Sequence, residues 1–330
     1  MSVIIAYEPK TKKDMTHITF ANGDKMPMLG LGTWKSEKGK VFEAVKTAIK
    51  IGYRHVDCAP IYGNEQEIGE AIKACIEEGV VRREDLWITS KLWNDSHRKE
   101  DVVPAVKNTL KDLSLDYVDL FLIHWPVALK KGVYLATSAA DFLSLAEIPL
   151  EDTWRGMEEV VHNGLAKHIG VSNFGKANLS KLMGTSTIKP EMNQVETHPY
   201  FQQNDLLDFC GENGIPLTAY SPLGSSDRPS ALKADNEPNL LEDKVIRSIA
   251  ESKNAAPAQI LISWSLHRGV SVIPKSTNDQ RIRENFEARN IQLNSEEMEM
   301  ISNLEKGRRY LSGEFWVFEN GPYQLKDIWA

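Results

Sequence analysis

The chain has little cysteine, little positive charge and no long apolar run, and each shortage narrows what it can be. Its three cysteines, Cys58, Cys75 and Cys210, are odd in number, far apart and free of any CxxC spacing. Neither a disulfide framework nor a zinc site is indicated, and a reducing compartment is the expected home. Val3 to Ala6 is too short for the core of a signal peptide, and no later run approaches the roughly 20 apolar residues that span a bilayer. The expectation is a cytoplasmic protein with no membrane partner. Lys and Arg total 39 against 46 Asp and Glu, a net charge of −7. Such a chain is not drawn as a whole to nucleic acid, and any anionic ligand needs a local basic cluster. No His/Asp/Glu group has ligand-like spacing, so no metal is expected and a metal-dependent hydrolase is disfavoured. No Pro/Gly/Ser-rich linker interrupts the sequence, and residues 1–330 read as one domain.

What is present is a folded-protein composition, 42% hydrophobic with 26% charged residues, enough for a sizeable core. Residues 1–14 are polar and aperiodic and read as a flexible N-terminal arm. HITF and MPML flank Asn22-Gly23-Asp24, which supplies turn chemistry for a β-hairpin over 17–29. Eight short β-rich runs follow: MLGLGTW, RHVDCA, LWITSKL, VDLFLIHW, KHIGVSN, EMNQVE, PLTAYSPL and VSVIPKS. Between them the spacing predicts helices such as 38–51, 66–77, 99–113, 150–163, 204–213 and 258–268. This alternation predicts an α/β fold, a (β/α)8 TIM barrel preceded by the hairpin. The competing doubly wound sheet is weakened because the first turn, Gly30-Leu31-Gly32-Thr33-Trp34-Lys35, lacks the third glycine of GxGxxG. Residues 127–149 and 221–242 exceed ordinary connection lengths and follow strand ends, so long loops are expected at the C-terminal face. Residues 305–330 form an aromatic tail.

Asp57, Tyr62, Lys91 and His124 each fall at the carboxyl end of a predicted strand or in the turn beyond it. They lie in the phrases GYRHVDCAPIYGNE (52–65), WITSKLW (87–93) and VDLFLIHWP (118–126). Together they point to a proton-donating tyrosine in a reductase. These phrases, with MEEVVHNGLAKHIGVSNF (157–174) and IPKSTNDQRIRENFEA (273–288), resemble the aldo-keto reductase superfamily over nearly the whole chain. The likeness is closest to the aldehyde and aldose reductase branch.

The resemblance implies that Tyr62 protonates the carbonyl oxygen as hydride reaches carbon. Free tyrosine titrates near ~10, so it needs a cation to stabilise its phenolate. Lys91 is that cation, Asp57 orients it, and His124 hydrogen-bonds the substrate oxygen. Ser172, Asn173 and Gln194 match residues that hold the nicotinamide carboxamide, and Tyr220 the ring on which nicotinamide stacks. Thr33, Trp34 and Asp57 border that site, and Ser221, Leu223, Ser225 and Asp227 belong to a loop over the pyrophosphate, Asp227 reaching Lys35 and Lys275. Lys275, Ser276, Thr277, Asn278 and Arg281 match a 2′-phosphate site, with Glu284 and Asn285 on adenine. NADPH is therefore the expected cofactor, with NADH weaker.

Trp34, Tyr62, Trp93, His124, Trp125, Leu129 and Trp316 match the substrate pocket, and the tail aromatics Tyr310, Phe315 and Phe318 extend its expected wall. At Ser230 many relatives carry a bulky aromatic, so the pocket is expected to be wider or more polar there. His124 stands where steroid double-bond reductases place a glutamate, which disfavours that chemistry. The expected activity is reversible NADPH-dependent reduction of aldehydes, aldoses included, to primary alcohols by a monomer or weak homodimer. The alternatives are a xylose- or aldose-specific reductase using both cofactors, and a non-catalytic NADPH-binding sensor module.

Overall fold

The computed structural model describes residues 16–330, so the N-terminal arm expected over 1–14 lies outside the described residues. The hairpin pairs β1 (His17–Thr19) with β2 (Lys25–Pro27), and Asp24 N donates to Asn22 Oδ1 at 3.0 Å in the turn. Phe20, carried by this hairpin, stacks on Trp87 and His168 with ring centroids 5.2 and 4.2 Å away. Phe20 and Trp87 form a small buried cluster with Met26, Leu120, Leu122 and Met192.

The eight expected β-rich runs each contribute a strand of one parallel sheet. They are β3 (Leu31–Gly32), β4 (His55–Asp57), β5 (Trp87–Leu92), β6 (Val118–Ile123), β9 (Ala166–Ser172), β10 (Asn193–Glu196), β11 (Leu217–Tyr220) and β12 (Ser271–Val272). Bridges Leu29↔Val272 and Gly32↔Lys275 join the first strand to the last, closing the (β/α)8 barrel. The seam explains one glycine: a Cβ on Gly32 would stand 2.6 Å from the Ile273 carbonyl oxygen. Every residue of β5 and β6 is buried, as parallel strands covered on both faces require.

Helices α1 (Val41–Ile51), α2 (Glu65–Glu77), α3 (Lys99–Leu113), α4 (Leu150–His162), α5 (Lys176–Thr185) and α6 (Asn204–Glu212) each separate two barrel strands. The pair α7 (Lys244–Ser252) and α8 (Pro257–His267) precedes β12, and α9 (Asp279–Glu287), α10 (Ser295–Ser302) and α11 (Leu325–Ile328) follow it. In α1 the buried Val41, Ala44, Val45, Ala48 and Ile49 recur at the helical period and face the main core. It starts later than residue 38 because Gly39, at φ +80°, makes a turn before it.

The long connection over 127–149 holds an antiparallel ribbon, β7 (Ala128–Leu129) with β8 (Phe142–Leu143). The segment over 221–242 holds 3-10 turns at Ser230–Leu232 and Leu240–Glu242. Ribbon and tail share an apolar cluster of their own, which includes Trp93, Trp125, Leu129, Phe142, Trp316 and Tyr323. Among the described residues no helix is long and apolar enough to cross a membrane.

Candidate active site

The barrel gathers polar groups at the carboxyl ends of its strands. Asp57 ends β4, Lys91 lies near the end of β5, His124 follows β6, Ser172 ends β9 and Tyr220 ends β11. Lys91 is fully buried, and its ammonium donates to Asp57 Oδ1 at 2.6 Å, to the Cys58 carbonyl at 2.9 Å and to Tyr62 Oη at 3.4 Å. Asp57 Oδ2 accepts from Gln194 Nε2 at 2.7 Å, a direct tie between the lysine pair and a residue matched to the cofactor site. Thr33 Oγ1 donates to the Asp57 carbonyl at 2.7 Å.

Burial works against the Lys91 ammonium, yet the Asp57 carboxylate beside it leads the effects that outweigh burial and raise its pKa above the ordinary value. At Tyr62 the balance differs from the sequence expectation. Desolvation at the barrel mouth exceeds the effect of Lys91 and pushes the phenol up to about 12, so it is protonated across the neutral range. His124 is driven well below its usual value by burial and by the nearby Lys91 charge, and its imidazole is neutral at pH 7. Its ring meets Tyr62 and Trp93 edge-on, centroids 5.9 and 5.1 Å apart.

Asn173 joins the two halves of this constellation. Its Nδ2 donates to the His124 carbonyl at 2.9 Å, and its Oδ1 accepts from Tyr220 Oη at 2.7 Å. Ser172 Oγ donates to the Gln194 carbonyl at 2.8 Å. Asn173 has φ +66°, and Lys35 and Ser221 are also left-handed, at φ +62° and +49°. All three border the cavity. Strained non-glycine backbone of this kind persists where the surroundings over-determine it.

A cavity of about 990 Å³ runs from these residues across the barrel mouth. Along its length stand Thr33, Trp34, Leu223, Ser225, Asp227, Lys275, Ser276, Thr277, Arg281, Glu284 and Asn285. Asp227 bridges two cations, Oδ1 to Lys35 at 2.7 Å and Oδ2 to Lys275 at 3.4 Å. Asn278 stands apart. It caps α9, its Oδ1 accepting from the Arg281 amide at 3.0 Å, and it does not line the cavity. Lys275, Arg281 and the α9 amino terminus make a local basic region on an acidic chain, and this donor set fits a phosphate.

At the other end Trp34, Tyr62, Trp93, His124, Trp125, Phe315 and Trp316 line the cavity. Expectations at four positions of this wall need correction. Leu129 does not line the cavity; it is buried in the ribbon-tail cluster, packed with other apolar side chains. Tyr310 and Phe318 do not line it either. Tyr310 packs into the cluster around α7 and α8 and bonds the Pro238 carbonyl at 2.7 Å, while Phe318 meets Phe142 at 5.3 Å. Ser230 also falls outside the lining, which Pro229 and Leu232 provide there. The sequence reasoning missed Ile61, Leu135, Ala136 and Leu311, all on the lining. Leu135 is 68% exposed at the rim and lies in a stretch with no period to mark it. Among the described residues no cluster of three or more His, Cys, Asp or Glu could hold a metal ion.

The sequence profile of the Aldo/keto reductase family matches residues 28–306. An aldo/keto reductase of Synechocystis sp. is 48% identical over 315 residues, covering 96% of each chain. Aldo-keto reductase family 1 member A1 of Gallus gallus is 47% identical over 296 residues, covering 89% of this chain and 90% of its own. The Homo sapiens protein of that name is 46% identical over 291 residues, covering 88% and 89%. With a closed barrel and a polar constellation at its carboxyl end, these matches establish that the chain belongs to the aldo/keto reductase family.

Proposed function

We propose that this protein reduces aldehydes, open-chain aldoses included, to primary alcohols with NADPH, using Tyr62 as the acid. The carrying observation is the Tyr62 hydroxyl on the cavity wall, 3.4 Å from the ammonium of a buried lysine that is itself 2.6 Å from the Asp57 carboxylate. NADPH, when bound, supplies the hydride. Tyr62 Oη gives its proton to the carbonyl oxygen, and Lys91 stabilises the phenolate left behind. Asp57 keeps the ammonium aimed and is itself braced by Gln194. Neutral His124 donates one N–H to the same carbonyl oxygen and so orients the substrate without adding a charge. Ser172, Asn173, Gln194 and Tyr220 would hold the nicotinamide end of the cofactor, and Lys275, Ser276 and Arg281 its 2′-phosphate. Asp227 with Lys35 would span the pyrophosphate region, which favours slow cofactor release.

The test is the loss of reduced-nicotinamide absorbance with glyceraldehyde, comparing NADPH with NADH and wild type with Tyr62→Phe. Turnover that prefers NADPH and falls at least ~100-fold in Tyr62→Phe supports the reading. Turnover that survives the change removes the tyrosine mechanism, and tight NADPH binding without turnover on a carbonyl panel favours a sensor module.

A further inference from the structure

We propose that Glu196 is a positioning residue that anchors the C-terminal tail and thereby sets the substrate wall. This rests on the reductase reading for its effect on substrate. Glu196 ends β10, two residues beyond Gln194, and is paired in register with Tyr220 on β11. It is 0% exposed, an expensive place for a carboxylate unless its oxygens are fully used. They are. Oε1 accepts from the Tyr310 amide at 2.5 Å and from His198 Nε2 at 2.9 Å, and Oε2 accepts from the Leu311 amide at 2.8 Å.

Those two amides belong to the tail as it reaches the cavity. Leu311 lines the cavity, followed by Phe315 and Trp316. The Tyr310 ring meets His198 at a tilt, centroids 4.9 Å apart, and lies 4.9 Å under the Arg228 guanidinium, beside the loop that carries Asp227. A single buried carboxylate thus fixes where the tail enters, and the aromatic wall downstream inherits its position. Burial pushes the Glu196 carboxyl up, but His198 and the two amides more than offset this and hold it ionised. A glutamine keeps the shape, yet its NH2 would face an amide donor that the second oxygen now accepts.

The experiment compares wild type with Glu196→Gln and Leu311→Ala, after thermal unfolding confirms each is folded. Glu196→Gln is expected to raise KM for a carbonyl substrate about 10-fold with kcat within about 3-fold, because a displaced wall weakens binding equally before and during reaction. Hydrogen exchange in residues 308–320 should quicken while the barrel strands stay protected, a change that general destabilisation would not confine to the tail. Unchanged KM and unchanged tail exchange in a folded Glu196→Gln would overturn the proposal. If that variant does not fold, Leu311→Ala, which keeps its amide on Glu196 and removes the positioned side chain, must raise KM; an unchanged KM there overturns it too. Should wild type reduce no carbonyl, the reductase reading falls, and tail exchange still decides whether Glu196 is the anchor.

Discussion

Asp57 and Lys91, 34 residues apart in sequence, stand 2.6 Å apart on neighbouring barrel strands with 3% and 0% of their side chains exposed. A pair so buried is strongly interdependent, since removing one partner strands the other's charge. Lys91→Met should destabilise the fold by about 3–5 kcal/mol and abolish measurable turnover. Adding Asp57→Asn should recover part of that loss, because the orphaned carboxylate is then neutral. Denaturant midpoints for the two single variants and the double variant check this; equal stability of Lys91→Met and wild type would show the pair is not closed in solution.

Arg281 borders the cavity in the first turn of α9, beside Lys275 and Ser276. If these groups receive a 2′-phosphate, Arg281→Ala should weaken NADPH binding about 10- to 100-fold, the worth of a charge-assisted contact. NADH, which has no such phosphate, should change little. Fluorescence titration with both cofactors measures the two constants, and equal losses for both would place the phosphate elsewhere.

The barrel was legible because its strands are short apolar runs punctuated by turns, and β5 and β6, buried on both faces, are the clearest of them. The polar residues at strand ends could be found because each sits in a distinctive phrase. Other features left no mark on the sequence. The two-residue strands β7 and β8 are too short for a period, so the ribbon inside 127–149 was hidden. Left-handed Lys35 and Ser221 could not be inferred from residue type, since neither is a residue that favours positive φ, whereas Asn173 is of a type that tolerates it. In the tail, aromatic composition alone could not separate Phe315 and Trp316, which line the cavity, from Tyr310 and Phe318, which pack elsewhere. The Tyr62 phenol shows the same limit in electrostatics, since the sequence names its cation and not the desolvation that exceeds it.

Gly69 marks where α2 crosses closest to the end of α3. A Cβ there would stand 2.4 Å from the Leu113 carbonyl oxygen and 2.8 Å from its Cα, both backbone atoms that no side-chain rotation can clear. Gly69→Ala therefore forces the helices apart and should cost about 1–3 kcal/mol, the usual range for overpacking. Helix propensity alone would favour alanine by up to ~1 kcal/mol, so the sign of the change decides between the effects. A raised thermal midpoint would mean the helices separate freely.

His97 gives a pH dependence of definite sign. It is 2% exposed, neither ring nitrogen has a hydrogen-bond partner among the described residues, and burial pushes its pKa from 6.5 down to about 3. Below pH 6.5 the unfolded chain takes up a proton that the folded one refuses, so folding stability falls as pH drops and continues to fall toward pH 3. The contribution is about 1.4 kcal/mol per pH unit. His124, also depressed, adds to the same acid limb in wild type, so the informative quantity is the difference between proteins. His97→Leu should gain about 2 kcal/mol on wild type between pH 7 and pH 5, whatever its stability at pH 7. Urea unfolding at pH 7, 6 and 5 measures this, and parallel profiles would show that the folded protein already protonates His97.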